Sequence, residues 1–160
     1  MGLRARDRAK ITLVLVLAGT VCGAAAAGAQ EDRGYWRAAS TNALAITGDV
    51  SIGELKVTIN YATFPLAPIR RLKPAEVSAM FDADVSAGIE GSLYRLKVPP
   101  GQRLLRKNTL CGNEETQWMA TYATGHTLQV AFFSGDDEPV FTFDAVQKST
   151  ALCGAYTYAR

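Results

Sequence analysis

Two of the three cysteines and the single histidine are the residues best suited to nucleophilic or redox chemistry in this sequence. Cys22, the third cysteine, belongs to an N-terminal segment that has the pattern of a secretory signal peptide. Cys111 and Cys153 each stand in the triplet Leu-Cys-Gly, 42 positions apart, and His126 is the only histidine. A reactive thiol needs a lowered pKa and a neighbouring base, and no motif places His126 beside either cysteine. Two cysteines in an exported protein can instead form one disulfide. The sequence therefore predicts a Cys111–Cys153 disulfide and no catalytic thiol.

Carboxylates at alternate positions raise the question of a metal site. Asp82, Asp84 and Ser86 have the spacing that opens a calcium-binding loop. However, Ala87 stands where that loop needs glycine, and Leu93 stands where it needs glutamate. We therefore predict an irregular polar loop at this place and no metal site.

Hydrolytic chemistry has weaker support in the sequence. It contains no nucleophile elbow, zinc-protease, phosphate-loop or dinucleotide-binding motif. Asp136, Asp137 and Glu138 form an acidic run whose simplest interpretation is a solvated turn. A hydrolase that assembles such carboxylates, or His126, in space stays an alternative hypothesis. The favoured prediction is a non-enzymatic protein with no catalytic residues and no cofactor.

Four side chains are candidates for contacts with a ligand. Arg70 and Arg71 lie in the proline-rich segment FPLAPIRRLKP, where they could bind an anionic envelope component or protect a sheet edge from aggregation. Trp118 and Phe133 belong to an aromatic-rich second half, most of which should be core. Because Phe132 and Phe133 are adjacent, they must point to opposite faces of a strand. One of these faces is a candidate for exposed aromatic surface, as found in ligand pockets and partner patches.

The first 29 residues have the pattern of a secretory signal peptide. A basic segment ends at Lys10, an apolar segment spans Ile11 to Val21, and Ala27-Gly28-Ala29 matches a cleavage site. A membrane span needs about 20 apolar residues, so we expect no stable span after cleavage, with a retained anchor as the alternative. The mature protein is therefore expected in the periplasm or outside the cell.

The charge balance changes when this segment is set aside. The whole chain has 17 basic and 15 acidic residues, and the first 29 positions hold four of the basic residues and one acidic residue. The remaining 13 basic and 14 acidic residues are nearly balanced. This balance gives no support for binding to nucleic acid, so the expected partner is an envelope ligand or protein.

Strand patterns dominate residues 30–160, which are predicted to form one domain. LKVTIN and SLYRLKV alternate in polarity, and NALAIT, TQWMATY, TLQVAFF, VFTFDAV and the segment from Gly154 are further strand-like runs. FPLAPIRRLKP is predicted to be an extended crossing or edge segment because proline cannot donate within a central strand. Pro74–Phe81 is the one predicted helix. The predicted fold class is all-β, an antiparallel sandwich or small barrel with one short helix.

Several short motifs in the second half form a recognisable set. LYRLKVPP, NTLCG, the apolar strand around Trp118, AFFSG and LCGAYTY resemble a group of small exported proteins from Gram-negative bacteria. The resemblance covers Gly91 to Arg160 and, more weakly, GDVSI at Gly48 to Ile52. It implies export and a paired Cys111 and Cys153, and it implies no particular activity. Because catalytic motifs are also absent from the sequence, we predict a non-catalytic binding or interaction module in the periplasm.

Overall fold

The computed structural model describes residues 31–84 and 89–160, and these form a closed antiparallel barrel. Each strand pairs with the next one along the chain, and the last strand returns to pair with the first. The all-β prediction is confirmed, and the barrel is the form adopted. The predicted signal peptide and Ser86 of the predicted polar loop lie outside the described residues. The eight strands are β1 (Gly34–Ala38), β2 (Val50–Ile52), β3 (Lys56–Ile59), β4 (Ala62–Leu72), β5 (Gly91–Val98), β6 (Thr116–Thr124), β7 (Thr127–Ser134) and β8 (Leu152–Ala159).

Side chains fill the interior of the barrel. Apolar residues alternate along the strands, and β5 turns Tyr94, Leu96 and Val98 inward, as the sequence predicted. Trp36 and Tyr158 are fully buried and are among the largest side chains of this core. Because an eight-stranded barrel encloses a space that side chains can fill, the interior acts here as a packed core.

A second apolar layer covers one side of the barrel from the outside. The predicted helix is confirmed as α1 (Pro74–Phe81), and it buries Val77 and Phe81 against outward-facing residues of β5, β6 and β7. Phe141 adds to this outer cluster through an edge-on contact with Phe133, at 5.7 Å between ring centroids. The outer surface of β1, β2 and β3 lies on the opposite side, where Tyr35 is exposed.

β4 is an extended strand that crosses from β3 to β5, in agreement with the extended crossing or edge segment predicted for FPLAPIRRLKP. Its first part pairs with β3 and its second part pairs with β5. The Leu66 amide donates to Leu55 on the β3 side, and backbone groups alternate sides along a strand. The nitrogen of Pro65 therefore points toward β5, at a position before the β4–β5 ladder begins. The nitrogen of Pro68 points to the β3 side, beyond the end of the β3–β4 ladder. Both prolines are tolerated because neither removes a ladder hydrogen bond.

Two segments predicted as strands are helical. NALAIT forms a π-helical turn over Ala43–Thr47, and the buried Thr47 hydroxyl lies 2.7 Å from the Tyr158 hydroxyl. VFTFDAV leads into α2 (Phe143–Lys148), in which the Thr142 hydroxyl accepts a hydrogen bond from the Ala145 amide. This cap, with Asp144 in the first turn, favours a helix locally over the strand that the aromatic residues suggested.

The two ends of the barrel differ in their connections. One end, called the disulfide end, carries the β1–β2, β3–β4, β5–β6 and β7–β8 connections, and there Cys111 and Cys153 are bonded with Cα atoms 5.0 Å apart. The predicted disulfide is therefore present, and it joins the β5–β6 loop to β8. The other end, called the Asp32 end, carries the remaining connections and both ends of the described barrel.

Candidate functional site

Arg70 and Arg71, the basic candidates from the sequence, are engaged with carboxylates. Arg70 donates through Nη1 and Nη2 to Glu76 at 2.9 Å and through Nε to Glu138 at 2.6 Å. Arg71 donates through Nη2 to Glu90 at 2.6 Å. At Arg70 and Arg71 β4 pairs with β5 alone, so protection of a free strand edge stays an explanation for both arginines. An anionic ligand would compete with these carboxylates, and a binding role for Arg70 and Arg71 stays a prediction.

Trp118 and Phe133, the aromatic candidates, face each other in register across β6 and β7. Both are buried in the outer cluster, and the Trp118 Nε1 group donates to the Gly135 carbonyl at 3.1 Å. Phe132 points into the barrel instead, so the predicted divergence of the two phenylalanines is confirmed. A ligand contact by Trp118 or Phe133 stays a prediction, and the exposed aromatic residues of the structure lie elsewhere.

The residues of the hydrolase hypothesis lie far apart. His126 is in the turn between β6 and β7, and the run Asp136–Glu138 follows the other end of β7. An eight-residue strand spans about 26 Å, so these groups do not share a site. In the part of the chain that the structure describes, no three His, Cys, Asp or Glu side chains cluster as metal ligands. Within the same residues, no helix is both long and apolar enough to cross a membrane.

A groove of about 360 Å³ lies on the outer surface at the disulfide end, beside β1, β2 and β3. Its strand side is a row of outward-facing residues in register, since Tyr35 pairs with Ser51 and Ser51 pairs with Thr58. The β3–β4 turn and the loops that cover the barrel end supply the rest of its lining. We call it the tyrosine groove, and its main lining residues are Tyr35, Leu44, Ser51, Thr58, Tyr61 and Leu105.

Tyr35 is held in place by Asp49, which precedes β2. The Tyr35 hydroxyl donates to Asp49 Oδ2, and the Ala38 amide donates to Asp49 Oδ1 at 2.9 Å. The tyrosine hydrogen bond holds the pKa of the Asp49 carboxyl below its ordinary value, and the same bond raises the pKa of Tyr35. The carboxylate is therefore occupied on both oxygens, and it orients a ring that is still 57% exposed.

Tyr61 lies at the tip of the β3–β4 hairpin and is 98% exposed. Asn60 and Tyr61 form a two-residue turn between Ile59 and Ala62, and both have positive φ angles of 45° and 65°. Such a turn favours glycine at its second position, because a side chain with positive φ costs about 1–2 kcal/mol. Because the ring is almost fully exposed, it also contributes no hydrophobic stabilisation through burial. Neither backbone preference nor packing therefore explains a tyrosine at position 61.

Comparisons with protein-family models, with curated proteins and with solved structures find no match to the chain. The candidate site is therefore identified from the geometry of the described residues.

Two other surface grooves differ from the tyrosine groove in their chemistry. One is lined by Arg95, Lys97 and Glu115 beside β5 and β6, and the other by Arg70, Glu138, Val140 and Phe141 near α1. Each groove contains an ion pair, Arg70–Glu138 at 2.6 Å near α1 and Lys97–Glu115 at 3.8 Å beside β5 and β6. Among the described residues, no ion pair crosses the tyrosine groove, and two exposed tyrosines border it, so we select it as the candidate site.

The exposure of Tyr61 was not predicted from the sequence. The available signal was the dipeptide Asn60-Tyr61 between the run that ends at Ile59 and the run that begins at Ala62. Asn-Gly at such a place is a strong hairpin signal, and the tyrosine in place of glycine hid the turn. If Asn60-Tyr61 is recognised as a turn, it predicts an exposed aromatic residue at position 61.

Proposed function

We propose that this chain is an exported, non-catalytic binding domain of the bacterial cell envelope, and that it holds its ligand in the tyrosine groove. The observation that carries the proposal is Tyr61, an almost fully exposed aromatic residue in a backbone conformation that favours glycine. Together with Tyr35 it borders a groove of about 360 Å³, a size typical of small-ligand sites. A binding contact is the role that accounts for this residue at this position.

Export to the periplasm is supported by two independent features. The first 29 residues have the signal-peptide pattern, and the Cys111–Cys153 disulfide is of the kind that persists in oxidising compartments.

A non-catalytic role is supported by the chemistry of the groove. Proton transfer near neutral pH needs a group with a pKa in that range. Asp49 is a carboxylate whose pKa is lowered, and Tyr35 is a phenol whose pKa is raised, so both are held in one protonation state at neutral pH. The groove is therefore suited to hold a ligand unchanged.

Native mass spectrometry of protein purified gently from the periplasm tests the proposal. The wild-type chain is expected to carry a bound species of discrete mass, and the Tyr61→Gly variant is expected to be bare. Leu55→Ala is the matched control, because Leu55 is also exposed but lies in the β2–β3 turn at the Asp32 end. This control is expected to keep the bound species. Equal occupancy in the wild type and Tyr61→Gly would contradict the proposal, and so would a bare wild-type chain that stays bare after incubation with periplasmic extract.

A further inference from the structure

We propose that the ligand of the tyrosine groove is an N-acetylated glycan bound through its uncharged sugar rings, namely the glycan strand of the bacterial cell wall. This inference rests on the proposed function and names the ligand class for the same site. It follows from three properties of the groove: its charge, the arrangement of its apolar and polar groups, and its aliphatic end.

The charge of the lining selects a neutral ligand. Among the described residues that line the groove, Asp49 is the only one with a formal charge, and no lysine or arginine is present. Both oxygens of Asp49 already accept hydrogen bonds, from Tyr35 and from the Ala38 amide. An anionic ligand would find no cation among the lining residues, since Arg37, whose charge acts on Tyr35 and Asp49, lies outside this lining. A cationic ligand would find a carboxylate that is already engaged. A ligand without formal charge meets neither penalty.

The polar groups of the groove select a ligand that has one apolar face and polar edges. Tyr35 and Tyr61 offer ring faces, and Ser51 adds a hydroxyl group to the strand side of the groove, where the Thr58 hydroxyl is already hydrogen-bonded to Thr63 at 2.9 Å. A sugar ring matches this arrangement, because its C–H groups pack on an aromatic face while its hydroxyls point outward to hydrogen-bonding partners. A purely aliphatic ligand would cover the Ser51 hydroxyl without pairing it, which weakens binding.

The end of the groove near the barrel opening selects an acetamido group. Leu44 is 54% exposed on the π-helical turn, and Leu105 comes from the β5–β6 loop. The Asn60 side chain lines the groove beside these leucines, with its amide both a donor and an acceptor. The methyl of an acetamido group suits the leucines, and its N–H and C=O suit the asparagine. The cell-wall glycan is an N-acetylated polymer that is present in the proposed periplasmic location.

Calorimetric titration of the whole chain with defined sugars tests the ligand class. Chitotetraose, a neutral oligomer of N-acetylglucosamine, is expected to bind with a Kd of about 1 mM or tighter. Cellotetraose, which has the same linkage without acetamido groups, is expected to bind at least about tenfold more weakly. Tyr61→Gly and Asn60→Ala are each expected to weaken chitotetraose binding by about tenfold, whereas Leu55→Ala should leave it unchanged.

Co-sedimentation with purified cell-wall sacculi tests the source of the glycan. The wild type is expected to sediment with the sacculi, and Tyr61→Gly is expected to stay in the supernatant. Chitotetraose binding without sedimentation would overturn the cell-wall assignment. Equal affinity for cellotetraose would overturn the role of the acetamido group.

The failure of this inference is distinguishable from failure of the proposed function. If the periplasmic protein carries a bound species that depends on Tyr61 and yet no titration with chitotetraose gives heat, the glycan is overturned and the binding groove stands. A proline-rich peptide is the other class that docks on aromatic grooves, and its binding in place of chitotetraose would also overturn the glycan. A bare wild-type chain that also gives no heat with chitotetraose would overturn both.

Discussion

At the scale of single residues, Asp32 is a buried carboxylate that anchors the start of the barrel. It is 3% exposed, and its Oδ2 accepts hydrogen bonds from the Tyr94 hydroxyl at 2.7 Å and the Thr121 hydroxyl at 2.6 Å. Its carbonyl accepts a third bond from Trp36 Nε1 at 2.9 Å. Burial, followed by the Asp32 charge, raises the pKa of Tyr94, so this phenol remains a donor. The segment before β1 is thereby tied to β5 and β6 through the barrel interior.

Removal of the Asp32 carboxylate is expected to destabilise the fold strongly. Asp32→Ala leaves two buried hydroxyls without their acceptor, which costs about 2–4 kcal/mol in free energy of unfolding. Tyr94→Phe should cost less in the Asp32→Ala background than in the wild type, since its hydroxyl has already lost its partner. Urea denaturation of the two single variants and the double variant measures this coupling. Additive effects would show that Asp32 and Tyr94 do not act together.

At the residue scale the sequence predicted the pairing of Cys111 and Cys153 but not the exposed aromatic residues. The disulfide could be predicted because only two cysteines lie outside the predicted signal peptide, and these leave one intramolecular pairing. Tyr61 could not be placed by composition, because its exposure depends on a turn that lacks the usual glycine. Trp118 was a candidate for exposure and is buried, because the cover that α1 and Phe141 provide is a tertiary effect.

At the scale of secondary-structure elements, Arg70 links three segments of the outer layer. Its guanidinium joins β4 to Glu76 of α1 and to Glu138 of the β7–β8 loop. Glu76 also accepts a hydrogen bond from the Lys73 amide at 2.8 Å, which satisfies a free N–H at the start of α1. The hydrogen bonds from Arg70 hold the pKa of Glu76 below its ordinary value.

This lowered pKa predicts a loss of stability in acid. A carboxyl whose pKa is lower in the folded state stabilises the fold above its unfolded pKa of about 4.3, and the effect disappears as pH falls through the folded value. Glu76→Gln should lower the free energy of unfolding by about 1 kcal/mol at pH 7, because the pair is partly exposed. The variant should also lose less stability than the wild type on acidification.

Urea denaturation at neutral and acidic pH measures this difference. Glu114→Gln is the control, since Glu114 is exposed in the β5–β6 loop and should behave as the wild type. If Glu76→Gln and the wild type lose equal stability on acidification, the Arg70–Glu76 pair does not contribute to the pH dependence.

The elements were predictable where local signals agreed with the fold. Pro74 at the first position of α1 and the alternation of β5 gave their conformations directly. The extended conformation of β4 was predictable from its prolines, but its pairing partners were not, because the neighbouring strands decide which side of β4 is paired at each position. α2 was misjudged because its aromatic residues resemble a strand, while the deciding Thr142 cap is a single hydrogen bond.

At the scale of the whole molecule, the barrel is closed by pairing of its first and last strands. β1 and β8 share only two register pairs, Arg37↔Ala159 and Ala38↔Tyr158. The Cys111–Cys153 disulfide fixes the beginning of β8 to the loop before β6, at the end where that strand enters the barrel. The first residues of β8 pair with β7 alone, and they would otherwise be free to fray.

Loss of the disulfide is therefore expected to weaken the whole barrel. The chain-entropy model assigns about 4 kcal/mol to a loop of 42 residues, and the Cys111→Ala/Cys153→Ala variant should lose up to this amount. Urea denaturation of the wild type with and without reductant, beside the double variant, measures it. Unchanged stability after complete reduction would show that β8 is secured by its strand pairing alone.

We propose that Tyr61 is present for binding and not for the stability of the barrel. The free energy of unfolding of the Tyr61→Gly variant distinguishes these two roles. Glycine relieves the cost of a positive φ but gains freedom in the unfolded chain, so the free energy of unfolding should be unchanged or higher by up to about 1 kcal/mol. Tyr61→Ala keeps the strained Cβ and should be no more stable than the wild type. A Tyr61→Gly variant that is less stable by more than about 1 kcal/mol would make Tyr61 a structural residue and would contradict the account.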